Sequence, residues 1–385
     1  MNLIWHVAWF FSSKTNPRPN WSGYMMHTTS QSTTTYEKAS IKILLIIELN
    51  SSDETCIYST LLFIIDEANK YKIVTVCVTF DQSLWQKALG VIKDQNLNII
   101  CRLRGFHTMM SFLGSIGKLM TGSGLEEVLE QVYSEDTVKH ILKGKAVARA
   151  IRGHMLVQSV LMSHIIDILV DKSKLDISGL ECTYKMAMQN VMNKEELIRF
   201  GNTDAFKNIE CAILTDTKKK SHESRTAKLW ILYIYYIGII KEFLVAERTC
   251  NWYLHLQAIS KMLNLFAASG NSKYAKSSRL YLKEMQHLSE TNPWLHQQFL
   301  DGCHALRQSA RYCAGLSSDL VIEQTPMLSL KCNGDLTRSR GFDKNVCNLW
   351  IMSNCCSACV HEAMYKLSGL GIGVMENNKE WVLKD

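Results

Sequence analysis

Proline is scarce in this chain: its 385 residues include only 4 Pro, and Gly is modest at 20. That excludes collagen-like and Pro/Gly-rich low-complexity architectures. Low Pro with frequent Leu, Met, Lys and Glu instead predicts a largely helical protein. Long hydrophobic runs are also lacking. The strongest, Leu229–Ile240 (LWILYIYYIGII), stops at Lys241 and Glu242, whereas a membrane span needs about 20 apolar residues. It reads as a buried helix, and no membrane partner is expected. The N-terminal MNLIWHVAWFF has the apolar length of a signal core without its basic flank, and Lys14–Pro19 does not resemble a cleavage site. It reads as an arbitrary start cut into a longer parent protein.

A disulfide framework is missing too. The 13 Cys are odd in number and irregular in spacing, and Cys77, Cys101 and Cys182 sit within apolar runs. Reduced thiols and an intracellular location follow. Cys355, Cys356, Cys359 and His361 look like zinc ligands, but no second Cys-x-x-Cys pair lies at finger spacing. No strand precedes Gly369, Gly371 and Gly373 (GLGIG), so a dinucleotide loop is not expected. Charge is nearly balanced, at 43 Lys+Arg against 36 Asp+Glu, net +7. Such an excess permits a nucleic-acid partner without demanding one. A nuclear location is open, with the short run Lys218–Lys220 as its sole candidate signal.

What is present is an α/β opening followed by helices. Residues 12–39, rich in Ser and Thr, read as loop. Ile41–Leu49 (IKILLIIEL) is a strand-length apolar run, Cys56–Tyr71 has helical spacing, and Ile73–Phe80 (IVTVCVTF) is the best strand. Helix Leu84–Lys93 and strand Leu97–Leu103 complete a strand–helix–strand–helix–strand series. From Phe106 to about Leu300 the pattern predicts helices only, with Lys218–Ser224 (KKKSHES) as the exposed linker. No repeat of 20–50 residues is visible. The expected organisation is an irregular segment 1–39, an α/β core 40–105, a helical domain 106–310, C-terminal helices 311–368 and a polar tail 369–385.

Asp81 follows the best strand directly, where ligands and metals collect in open α/β sheets; it is equally suited to cap the next helix. Glu323 stands in a helical stretch beside Val321 and Ile322, where an inward carboxylate needs a partner or a metal and an outward one is ordinary. His107, after a strand and opening a helix, suits phosphate binding, proton relay or a structural hydrogen bond. Basic residues gather at Lys143, Lys145, Arg149 and Arg152, with 145, 149 and 152 expected on one helical face. Arg338 and Arg340 sit in a tail loop. These are the candidate phosphate contacts, with a plain solvated face as the alternative.

Several strings occur together: VTFDQSLWQKAL (Val78–Leu89), GFHTMMSFLGSIGKLMTGSGLEEVL (Gly105–Leu129), GKAVARAIRGH (Gly144–His154), AERTCNWYLHLQAISKML (Ala246–Leu263), Tyr274–Lys276, and GLSSDLVIEQTPMLSLKCNGDLTRSRG (Gly315–Gly341). Over roughly residues 40–355 the chain resembles an uncharacterised family carried by mobile elements of invertebrate genomes. Its element order resembles a ribonuclease-H-like (DDE-type) transposase core interrupted by a helical insertion. The fold this implies is a small mixed α/β sheet with a large all-helical domain, mostly α overall. Asp81 then matches the second catalytic acid and Glu323 the last. Mg²⁺ held between them would cleave DNA phosphodiesters, with DNA as partner; His107 is the further catalytic candidate, on its own position after a strand. Three carboxylates are normally needed, yet residues 1–36 contain no Asp or Glu, and Glu37 lies in a polar turn. The resemblance therefore implies an N-terminally truncated, inactive copy. Arg104, Asn271 and Cys313 depart from the family's pattern, as in a decaying gene. The reading from another class is a helical scaffold that binds protein partners without chemistry.

Overall fold

The computed structural model describes residues 2–8, 20–29, 37–41, 53–173, 194–324, 359–360 and 363. The protein is mostly helical. In chain order the elements are α1 (Asn2–Val7), α2 (Trp21–Thr29), α3 (Glu54–Lys70), β1 (Val76–Phe80), α4 (Gln82–Asp94), β2 (Ile99–Leu103), α5 (Gly105–Leu119), α6 (Leu125–Glu130), α7 (Glu135–Leu142) and α8 (Val147–Ser173). There follow α9 (Lys194–Asn202), α10 (Asp204–Glu223), α11 (Arg225–Thr249), α12 (Trp252–Ala268), α13 (Ser272–Gln286), α14 (Leu288–Thr291), α15 (Pro293–Leu300), β3 (Leu306–Arg307), β4 (Gly315–Leu316) and α16 (Ser318–Gln324). Strands β1 and β2 are hydrogen-bonded neighbours, and β3 pairs antiparallel with β4, Leu306 opposite Leu316.

The chain packs as two units. The first comprises residues 1–38, 80–82 and 102–317; the second comprises 39–79, 83–101 and 318–385. In the second unit, Asp53 starts α3 by accepting from the Thr55 amide, and Ile57, Leu61 and Ala68 face inward at helical spacing. Trp85 of α4 is fully buried, and its indole N–H donates to the Cys101 carbonyl at 3.1 Å.

The first unit is built around α11, α12 and α5. Helix α11 packs against α8, α10 and α12, and Tyr233, Tyr236, Ile237, Ile240 and Phe243 on it are buried. By length and composition α11 is long and apolar enough to cross a membrane; it is also what a helix surrounded by other helices looks like, apolar on nearly every side. On α5, Gly105, Thr108, Met109, Phe112, Leu113 and Ile116 form a buried stripe. Phe112 meets Phe266 of α12 and Tyr236 of α11 edge-on, at 5.7 and 6.0 Å between ring centres. A second apolar cluster joins α1, α2, α8, α9 and α10 through Trp5, Trp21, Ile166, Phe200, Phe206 and Ile209.

Two expectations need correction. Residues 12–39, read as loop, contain α2, whose Trp21, Tyr24, Met25 and Thr28 are buried at i, i+3, i+4 and i+7. The supposed linker Lys218–Ser224 is helical through Glu223. Lys220 pairs with Asp216 at 2.7 Å one turn back, and the break between α10 and α11 is the single residue Ser224, whose hydroxyl accepts from the Ala227 amide. The strand expected at Ile41–Leu49 lies, after Ile41, outside the described residues. So do the helix that apolar spacing predicts at Leu180–Met192, Arg338, Arg340, Cys355, Cys356, His361 and the GLGIG segment.

Candidate functional site

Two constellations in the first unit carry chemistry. The first is a buried cluster assembled by the corner between α11 and α12. Helix α11 ends in Cys250, which adopts the left-handed conformation (φ 54°), and Asn251 then caps α12 by accepting from the Leu254 amide at 2.9 Å. This turn carries Glu247, in the last turn of α11, against His255, in the first turn of α12. His255 Nδ1 donates to Glu247 Oε1 at 2.6 Å. The other oxygen, Oε2, accepts from the Ser317 hydroxyl just after β4, and His255 Nε2 meets the Tyr281 hydroxyl at 3.2 Å.

His304 approaches from the loop between α15 and β3. Its Nδ1–H donates to the Phe299 carbonyl at 3.3 Å, which leaves the lone pair on Nε2. That nitrogen is buried and has no hydrogen-bond partner. One potential ligand atom each from Glu247, His255 and His304 lies within 4.8 Å of the others, and all three residues are buried. Trp252 stacks on His255 with ring centres 5.3 Å apart and planes 12° apart. Arg102 of β2 donates to the His304 carbonyl at 2.6 Å, its guanidinium 5.0 Å from the Phe299 ring centre.

Electrostatics set the protonation of these groups. Burial alone would raise the Glu247 carboxyl. The neighbouring His255 and the hydrogen bonds from His255 and Ser317 outweigh that and hold it at about 2. Burial, reinforced by the His255 and Arg102 charges, pushes His304 down to about 3. A carboxylate in the last turn of a helix opposes the macrodipole, so Glu247 is kept there by these partners.

The second constellation is a cleft of about 500 Å³ between α5, the end of α7 and the α12–α13 turn. Lys118, Lys143 and Lys145 line it with Ser111, Ser115 and Asn271, and among the described residues no carboxylate lines it. None of the three lysines makes an ion pair among the described residues. Helices α5 and α7 touch through backbone here. A Cβ on Gly117 would fall on the Leu142 carbonyl, and one on Gly144 on the Met110 carbonyl; Gly144 also has φ 70°, a conformation that favours glycine. Three helix C-termini (α5, α7 and α12) face the cleft and contribute roughly −0.5 charge each, while the N-terminus of α13 contributes about +0.5. Against three lysines this leaves the cleft about two charges positive. Asn271, at the start of α13, makes no side-chain cap. The first amides of that helix are therefore not satisfied by its side chain, which suits an anion.

The structure brings few of the expected residues together. Asp81, half-buried directly after β1, belongs to the first unit; Glu323, half-buried on α16, belongs to the second. His107 lies in the first turn of α5, edge-on to Phe106 at 5.8 Å. Phe80 and Arg104 are joined by a backbone hydrogen bond of 2.9 Å, so Asp81 and His107 follow neighbouring strand ends. Lys145 does not share a helical face with Arg149 and Arg152, because α8 begins only at Val147. It lines the cleft, whereas Arg149 and Arg152 are exposed on α8, Arg152 Nε donating to the Ala148 carbonyl. Glu247, His255, His304 and Lys118 were not anticipated. The spacing of Glu247 and His255 fits neither helix nor strand, and only the corner at Cys250–Asn251 makes it a contact.

No curated protein and no solved structure matches the chain. A family model matches residues 20–383, nearly the whole length. The chain therefore belongs to the family described as "Domain of unknown function (DUF8702)".

Proposed function

We propose that this is a transposable-element-derived, transposase-like protein that holds DNA by its phosphate backbone and does not cut it. The observation that carries the reading is the lysine-lined cleft, positive by about two charges after the helix ends are counted. Its frame is rigid enough for the task. A buried Phe or Leu contributes about 1.5–3 kcal/mol, and α5 buries Met109, Phe112, Leu113 and Ile116 behind the cleft. Repulsion among solvated lysines costs about 1 kcal/mol per close pair. Apolar anchoring therefore outweighs the strain of concentrating charge. The strings shared with the mobile-element family support the same reading, as does the resemblance of β1, α4 and β2 to part of a ribonuclease-H core.

Duplex DNA binding measured by fluorescence anisotropy across salt concentrations tests it. Three lysine–phosphate contacts give a log–log salt slope of roughly −2.7. Replacing Lys118, Lys143 and Lys145 by Gln is expected to abolish that slope, while Arg149→Gln and Arg152→Gln leave most of it. Absence of binding at low salt overturns the proposal and leaves a helical scaffold. Mg²⁺-dependent cleavage that disappears in Asp81→Asn and Glu323→Gln would put the catalytic reading in its place.

A further inference from the structure

We propose that Glu247, His255 and His304 form a buried site for one divalent transition-metal ion of the zinc type. The donor set is two imidazoles and one carboxylate, a combination that zinc accepts with a fourth position left for water. Metal-ligating histidines and carboxylates are usually held from behind by a hydrogen bond to their other polar atom, and each of the three residues has such a support. Ser317 holds Glu247 Oε2, Tyr281 meets His255 Nε2, and the Phe299 carbonyl holds His304 Nδ1. The three opposite atoms are Glu247 Oε1, His255 Nδ1 and His304 Nε2. The last is buried without a hydrogen-bond partner, a state that a buried polar atom avoids at a cost of about 1–3 kcal/mol.

Tetrahedral zinc with bonds near 2.0–2.1 Å places its donors roughly 3.3 Å apart. One possible ligand atom from each of the three residues already lies within 4.8 Å of the others. The 2.6 Å Nδ1–Oε1 contact must open by about 0.7 Å on the same geometry and the wider pairs must close, as the ion takes the place of the Nδ1 proton, which passes to solvent while His255 is held as the Nε2–H tautomer facing the Tyr281 hydroxyl. The competing account is a purely structural polar network in which His255 and Ser317 alone satisfy Glu247. It leaves His304 Nε2 unexplained.

The full chain, stripped of metal by dialysis against chelator, is titrated with Zn²⁺ in competition with a chromophoric chelator and, separately, with Co²⁺. The expected result is one equivalent lost in His304→Gln and in Glu247→Gln and kept in Cys359→Ser, with a Co²⁺ d–d spectrum free of thiolate charge-transfer bands. Tyr281→Phe removes a supporting hydroxyl and no ligand, so it is expected to keep the stoichiometry and weaken affinity 10–100-fold. It remains informative if the ligand variants fail to fold by circular dichroism. Equal stoichiometry in wild type and His304→Gln, a thiolate spectrum, or unchanged affinity in Tyr281→Phe overturns the proposal. DNA binding through the lysine cleft is read by different variants and stands or falls separately.

Discussion

Gly315 sits where the backbone of β4 runs against the end of α11. A Cβ there would collide with the Glu247 carbonyl and the Cys250 sulfur, whereas a Cβ at Gly238, in the middle of α11, would meet nothing within 4 Å. The two glycines therefore have opposite consequences. Gly315→Ala forces backbone apart beside a packed cluster and is expected to cost about 1–3 kcal/mol. Gly238→Ala removes a helix-interior glycine and is expected to gain about 0.5–1 kcal/mol. Chemical denaturation of both variants checks this, and similar midpoints would contradict the close approach at β4. Neither glycine is distinguishable in the sequence, because one lies in a strand of two residues and the other in a helix that reads as uniformly apolar.

At the scale of elements, the α11–α12 corner is the joint on which the buried cluster depends. Asn251 supplies one of the few side-chain caps in that region, and Arg307 ties the same corner down, donating to the Thr249 carbonyl at 3.4 Å and to that of Tyr312 at 2.8 Å. Asn251→Ala is expected to lower stability by about 1 kcal/mol, read as a drop in thermal midpoint; an unchanged midpoint would show that Arg307 and packing suffice. Most helices were legible, because apolar residues recur at helical spacing from Thr108 to Leu300 and α15 starts at Pro293. Strands β1 and β2 were legible from their β-branched runs. The short strands β3 and β4 were not, since two residues carry no periodicity. The cluster was not either: its residues come from three separate elements, and only tertiary contact selects them from other buried histidines such as His154.

For the first unit as a whole, buried ionisable groups dictate the response to acid. His154 is fully buried against the Tyr233 hydroxyl at 2.9 Å, and burial lowers it from 6.5 to about 4; His304 is lowered to about 3. In both, the unfolded chain binds the proton first, so stability falls as pH drops below 6.5. Glu247 acts in the same direction lower down, between 4.5 and about 2, because its carboxylate is stabilised only in the fold. At about 1.4 kcal/mol per pKa unit, the histidines together remove several kcal/mol by pH 4, a large share of a typical domain's 5–15 kcal/mol. Urea midpoints are expected to hold near neutrality and fall steeply between pH 6.5 and 4; a flat profile would contradict the burial of both rings. The lysine cleft has a different kind of robustness. Where Gly117 and Gly144 let α5 and the end of α7 touch, the spacing is set by the thickness of the polypeptide itself. Drift in the surrounding side chains can alter what the groove recognises, whereas a single carbon atom added at either of those two positions would push α5 and the end of α7 apart.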